Sequence, residues 1–272
     1  ARAAMEAVGR IREPGSVAQI LQIAGALAST EHDASGAPSN AGERIREHAC
    51  IYAMIEIGSP EQIRPGLASS SPKIQRAALA ALDQIKGSEL TAADVLSRMN
   101  SKDAALRATA VWIVRRHPDW GESLAEYFGT QLRKASELPP EETELMIDLL
   151  ASLAESPEIQ TLLVRHLDPN DRPAMELCLK AIAHTTLSAT PPAWLDVLNK
   201  QLALADDSIV ADIVASVRNL PLPKDGHPEL QQTLATVAAR TSLLTETRLA
   251  ALSAAGSGRI IDEGTFQLLL SM

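Results

Sequence analysis

Aromatic residues are scarce in this chain: Trp112, Trp120, Trp194, Tyr52, Tyr127, Phe128 and Phe266 make up the whole 3%. A core with so few of them, dominated by Ala and Leu, suits closely packed helices better than strands, which favour β-branched and aromatic side chains. Cysteine is nearly absent. Cys50 and Cys178 stand 128 residues apart and form no CxxC, which removes a disulfide framework and a paired-cysteine zinc site. No uncharged apolar run reaches the ~18 residues of a membrane span, so no direct membrane insertion is expected. There is no initial Met and no signal-peptide core, and the chain reads as an excised segment of a longer protein.

Positive charge is also in deficit. The net charge of −9 argues against a general nucleic-acid binder, which needs a clustered basic surface. The imbalance is local: residues 1–136 hold 16 Lys/Arg against 15 Asp/Glu, and residues 137–272 hold 9 against 19. From Ala135 to Val164, Glu137, Glu141, Glu142, Glu144, Asp148, Glu155 and Glu158 meet no Lys or Arg. Such a run is either a solvated face or a docking surface for a basic partner.

Catalytic and cofactor signatures are missing as well. There is no GxxxxGK, GxSxG or HExxH, so no phosphate loop, nucleophile elbow or zincin helix is present. His48 and Cys50 are two apart on a predicted helix and point about 200° away from each other; Cys178 and His184, six apart, diverge by about 240°. Neither pair can grip one metal. The sequence therefore offers no catalytic residue, no metal set and no cofactor, and the chain is expected not to be an enzyme.

What is present is a repeat. "REHACIYAMIEIGSP" (Arg46 to Pro60) and "QRAALAALDQIKGSE" (Gln75 to Glu89) share one template: two small residues, a small-plus-apolar pair four positions on, then an apolar residue before Gly or Lys-Gly. Its first position falls at Ala3, Ala49, Ala77, Ala108, Leu145, Leu177, Asp212 and Thr247, at intervals of 46, 28, 31, 37, 32, 35 and 35. A second amphipathic pattern lies between successive copies, and a last one, "EGTFQLLLSM", closes the chain. The unit is thus a helix pair, and periods of 20–50 residues signal a solenoid, because one such pair cannot bury its apolar face alone. Ser59-Pro60, Ser71-Pro72 and Ser156-Pro157 each read as a Ser N-cap with Pro at the first helical position, and Ser59 with Gln62 fits a capping box. The 46-residue interval contains "STEHDASGAPSNAG", Ser29 to Gly42, read as an inserted loop. The segment "RIIDEG", Arg259 to Gly264, is too short to argue for a sheet.

The helix "SPKIQRAALAALDQI" resembles the second helix of a HEAT repeat, over essentially the entire chain. More narrowly, "ERIREHACIYAMIEIG", "RAALAALDQI" and "TAVWIVRRHPDWG", within about residues 43–125, are similar to the HEAT region of planctomycete-type multidomain membrane-bound dehydrogenase and c-type haem-binding proteins. Those join a glucose/sorbosone-dehydrogenase-like propeller, HEAT repeats and a haem domain. The resemblance implies a periplasmic or cell-envelope location, against a cytoplasmic one otherwise. It stops short of the haem, because neither Cys50 nor Cys178 belongs to a CxxCH.

The expectation is an all-α chain: one domain over 1–272, an α-solenoid of about seven to eight HEAT-like antiparallel helix pairs. Its expected role is a non-catalytic scaffold, protein-interaction or spacer domain, with other proteins or neighbouring domains of its parent chain as partners. The alternative is an accessory domain of a multidomain dehydrogenase or cytochrome whose catalytic and haem sites lie elsewhere. Candidate partner contacts are Glu137, Glu141, Glu142 and Glu144 in the acidic stretch, and Arg115, Arg116, His117 and Trp120 in "RRHPDWG". The second cluster also reads as a helix end with cations near its carbonyls and a Pro stop.

Overall fold

The computed structural model describes residues 2–27, 41–223 and 226–255. Among these residues the fold is entirely helical, without strands, and the chain gathers into two compact units, Ala1–His117 and Pro118–Met272.

The first unit comprises α1 (Arg2–Ile11), α2 (Val17–Ala26), α3 (Ala41–Ile57), α4 (Pro60–Ile63), α5 (Pro72–Gln84), α6 (Ala92–Leu96) and α7 (Ala104–Val114). Helices α1, α3, α5 and α7 pack side by side in chain order, while α2 lies against α3 and α5, and α6 against α7. The second unit comprises α8 (Gly121–Leu132), α9 (Pro140–Ser152), α10 (Pro157–Arg165), α11 (Arg172–Ala183), α12 (Pro192–Leu204), α13 (Asp207–Asn219), α14 (Pro228–Ala238) and α15 (Thr245–Ala255). Here α9, α11, α13 and α15 form one packed row, and α8, α10, α12 and α14 another. All eight template copies begin in the odd-numbered helices, and seven of the intervening patterns fall on the even-numbered ones. Residues 29–40 of the predicted Ser29–Gly42 loop, "RIIDEG" and the terminal "EGTFQLLLSM" lie outside the described residues; the last two residues of that loop, Ala41 and Gly42, already belong to α3.

Small residues in the template let backbones approach. Ala77, Ala78, Ala81 and Leu82 of α5 are fully buried between the helices that flank them. A Cβ on Gly9 of α1 would stand 3.1 Å from the Cα of Ala53 in α3, and one on Gly66 would stand 2.9 Å from the Cβ of Ala78. Contacts this short leave no room for a methyl group without movement.

Helix ends are held across the repeat. The last carbonyls of a helix have no intrahelical donor, and side chains from the next helix pair supply one. Arg98 Nη2 donates to Leu67 O at 2.6 Å, Gln201 Nε2 to Leu167 O at 2.7 Å, Arg240 Nη1 to Ala205 O at 3.1 Å and Asn219 Nδ2 to Ala183 O at 3.0 Å. The sequence separations are 31, 34, 35 and 36 residues, within the range of the template's own intervals. Buried Ser216 makes a further cross-repeat bond inside the row, donating to Leu179 O within α11 at 2.7 Å. The indole of Trp194, a fully buried side chain, donates to Gln160 O at 3.2 Å.

Two local expectations need correction. Ser59, Ser71 and Ser156 do occupy N-cap positions before Pro, yet none makes a side-chain cap bond, so the Ser59–Gln62 capping box does not form. The Ser156 hydroxyl donates instead to Glu158 Oε2 at 2.6 Å, because a carboxylate is the stronger acceptor. Ser59, at φ −113° and ψ 84°, lies off the extended geometry that aims a cap oxygen at the first amides. The capping box that does form is Thr91 with Asp94, opening α6. Second, "PEQIRPGLA" is helical only to Ile63 and then tightens to a 3₁₀ turn, Arg64–Ala68. Pro65 lacks the N–H that an α-turn needs there.

Candidate functional site

The acidic stretch surrounds α9. Met146, Ile147, Leu149 and Leu150 bury one side of this helix, and that packing turns the acids outward. Glu137, in the 3₁₀ turn Ala135–Glu137, and Glu141, Glu142, Glu144 and Asp148 of α9 are all exposed. Glu141, Glu144 and Asp148, spaced i, i+3 and i+7, share one helical face. Glu141 and Glu142 lie in the first turn after Pro139-Pro140, where the positive end of the helix dipole favours them. Among the described residues no ion pair engages Glu137, Glu141, Glu142 or Glu144. Glu158 differs: the Ser156 hydroxyl holds its carboxyl below the usual range.

The "RRHPDWG" residues divide. Arg115 caps the end of α7 and is exposed. Arg116 and His117 turn inward onto Asp83 of α5, whose side chain is completely covered: His117 Nε2 lies 2.8 Å from Oδ1 and Arg116 Nε lies 3.5 Å from Oδ2. The Arg116 guanidinium also sits 4.6 Å from the ring centre of Trp112. These two residues fasten α7 to α5 within the first unit. Trp120 belongs to the second unit, half-buried at the start of α8. Asp83 was not singled out from sequence, although it stands 34 residues before His117, one repeat step, and that spacing could have found it.

Cys50 and His48 diverge as helical geometry requires, with the thiol buried and the imidazole exposed. Burial pushes both thiols up, Cys178 the further, and His184 is exposed at the end of α11. Among the described residues no three His, Cys, Asp or Glu side chains converge as metal ligands, and no helix is long and apolar enough to cross a membrane.

Sequence reasoning missed a groove of about 660 Å³ between α1 and α3. Arg2, Glu6 and Arg10 line one side, and Ile45, His48, Ala49 and Tyr52 the other. The signal was the i, i+4, i+8 charge row on α1 facing an i, i+3, i+7 row on α3. Compared with known proteins, the chain matches no family model, no curated protein and no solved structure.

Proposed function

We propose that the chain is a solenoid of HEAT-like helix pairs that serves as a non-catalytic protein-binding scaffold, with the exposed acids around α9 receiving a basic partner. The observation that carries this reading is the cross-repeat capping at separations of 31 to 36 residues. Side chains that satisfy the helix ends of the neighbouring repeat make each pair dependent on the next, as in a quasi-one-dimensional stack. Stacking of this kind lines up exposed side chains, and aligned like charges raise the local potential enough to steer an oppositely charged partner. The carboxylates at 137, 141, 142 and 144 meet no cation of their own unit, so their charge faces solvent undiminished.

The test is a triple reversal, Glu141→Lys, Glu142→Lys and Glu144→Lys, in the full chain. Binding of a fluorescent lysine-rich helical peptide is measured at two salt concentrations. The native chain should bind it and lose affinity as salt rises, because exposed charges are screened within about 8 Å at physiological ionic strength. The reversed chain should bind about tenfold more weakly. Equal affinity and equal salt dependence in both chains would reduce the stretch to a solvated face.

A further inference from the structure

We propose that the groove between α1 and α3 is a binding site for an acidic amphipathic helix of a partner protein. Each wall is one helical face: Arg2, Glu6 and Arg10 recur at i, i+4 and i+8 on α1, and Ile45, His48, Ala49 and Tyr52 at i, i+3, i+4 and i+7 on α3. Ile45 is 49% exposed and Tyr52 53% exposed, two of few large apolar side chains left open to water. Seven residues advance a helix by about 10 Å, so these two give footholds for a pair of anchors spaced i and i+7 on a helix lying in the groove.

Charge selects the sign of the occupant. Arg2 Nε is bound to Glu6 Oε1 at 2.7 Å, which cancels one cation of the wall. Arg10 and His48 make no hydrogen bond or ion pair among the described residues. Glu56, to which the Tyr52 phenol donates, has its charge partly answered by Arg12, whose Nη2 lies 3.8 Å from its Oε2. That hydrogen bond, followed by the charge of Glu56, pushes the phenol up, so Tyr52 stays neutral and presents its ring to the groove. Arg10 is therefore the cation of the groove that no side chain answers, and a carboxylate complements it.

Beside the groove, the outer face of α1 is open as well. In α3 the template positions Ala49, Cys50, Ala53, Met54 and Ile57 are buried against neighbouring helices. Of the equivalent positions in α1, Ala3, Ala4 and Ala7 are exposed and Ile11 is 72% exposed, while Val8 is half-buried. The α1 wall thus borders a small-residue face of the type that receives a helix elsewhere in the same unit. The site lies apart in sequence from α9 and has the opposite charge preference, so its success or failure is independent of the acidic face.

The probe is a synthetic helical peptide of about 15 residues, with leucines at i and i+7 and flanking glutamates, titrated into the full chain by fluorescence anisotropy. Two control peptides carry lysine for each glutamate or alanine for both leucines. The acidic peptide should bind, the two controls at least about tenfold more weakly. Arg10→Glu and Tyr52→Ala should each weaken it about tenfold, while Lys200→Glu, an exposed reversal on α12, leaves it unchanged. Unaltered circular dichroism of these surface variants keeps folding out of the comparison, and Arg10→Gln, which adds no repulsion, should fall between native and Arg10→Glu. Absence of binding, equal binding of the lysine peptide, or indifference to Arg10→Glu overturns the proposal. So does concentration-dependent self-association abolished by Arg10→Glu, which would give the groove to a second copy of the chain.

Discussion

Gln201 of α12 donates its side-chain amide to the carbonyl of Leu167, just beyond the end of α10, at 2.7 Å and 34 residues' separation. One repeat closes the helix end of the one before it. Leu167 is 3% exposed, so water has little access to replace that donor.

Gln201→Met keeps the apolar stem and removes the donor. The expected loss is about 1 kcal/mol of unfolding free energy, the usual range for leaving a buried carbonyl without its partner. Lys200→Gln next to it should change stability by less than about 0.5 kcal/mol. Denaturant midpoints of both variants decide the matter; an unmoved midpoint for Gln201→Met would mean that the cap contributes nothing to stability.

Gly9→Ala tests how closely α1 and α3 are packed. Alanine gains about 1 kcal/mol of helix propensity over glycine, yet its Cβ would meet Ala53 Cα at 3.1 Å and Glu56 Cβ at 3.2 Å. Overpacking of this kind costs about 1–3 kcal/mol, so a net destabilisation of roughly 1 kcal/mol is expected in thermal or chemical unfolding. A stabilised Gly9→Ala would show that the two helices can part at no cost.

Asp94 gives the first unit a pH dependence. Burial disfavours its ionised form, but the Thr91 amide and hydroxyl and the Arg64 guanidinium outweigh that effect and hold the carboxyl below its ordinary 3.8. Arg64 Nη1 lies 3.2 Å from Asp94 Oδ2. A carboxyl depressed by folding contributes stability that is present above 3.8 and fades as pH falls through the folded value. Asp94→Asn should therefore cost about 1 kcal/mol at about pH 7 and less at about pH 2, where the carboxyl of the unfolded chain is protonated and the advantage of the native charge is fading. An equal deficit at both pH values would assign the effect to shape, not charge.

Much of the helical order was legible because its cause is local. Apolar residues recurring every three to four positions define a helical face without reference to distant residues, and the Ala77–Leu82 template and the Pro-led starts at 60, 72 and 157 mark helices that form where they were expected. The step of about thirty-five residues was legible for the same reason, since it only requires similar segments to recur. Interruption by Pro65 was readable too, and the template reading passed over it.

The use of each polar group was decided by tertiary structure alone. Nothing in "RRHP" distinguishes Arg116 and His117, which clasp the covered Asp83, from Arg115, which caps the end of α7 in the open. Nor does the sequence say that Arg10 and His48 face one groove, or that the Ser156 hydroxyl leaves its cap for Glu158. A hydrogen bond forms only at the few ångströms set by packing across some thirty residues of chain. The sequence by itself determined which segments are helical and how often they recur; the register between those helices determined which charges are spent inside the fold and which stay exposed to solvent.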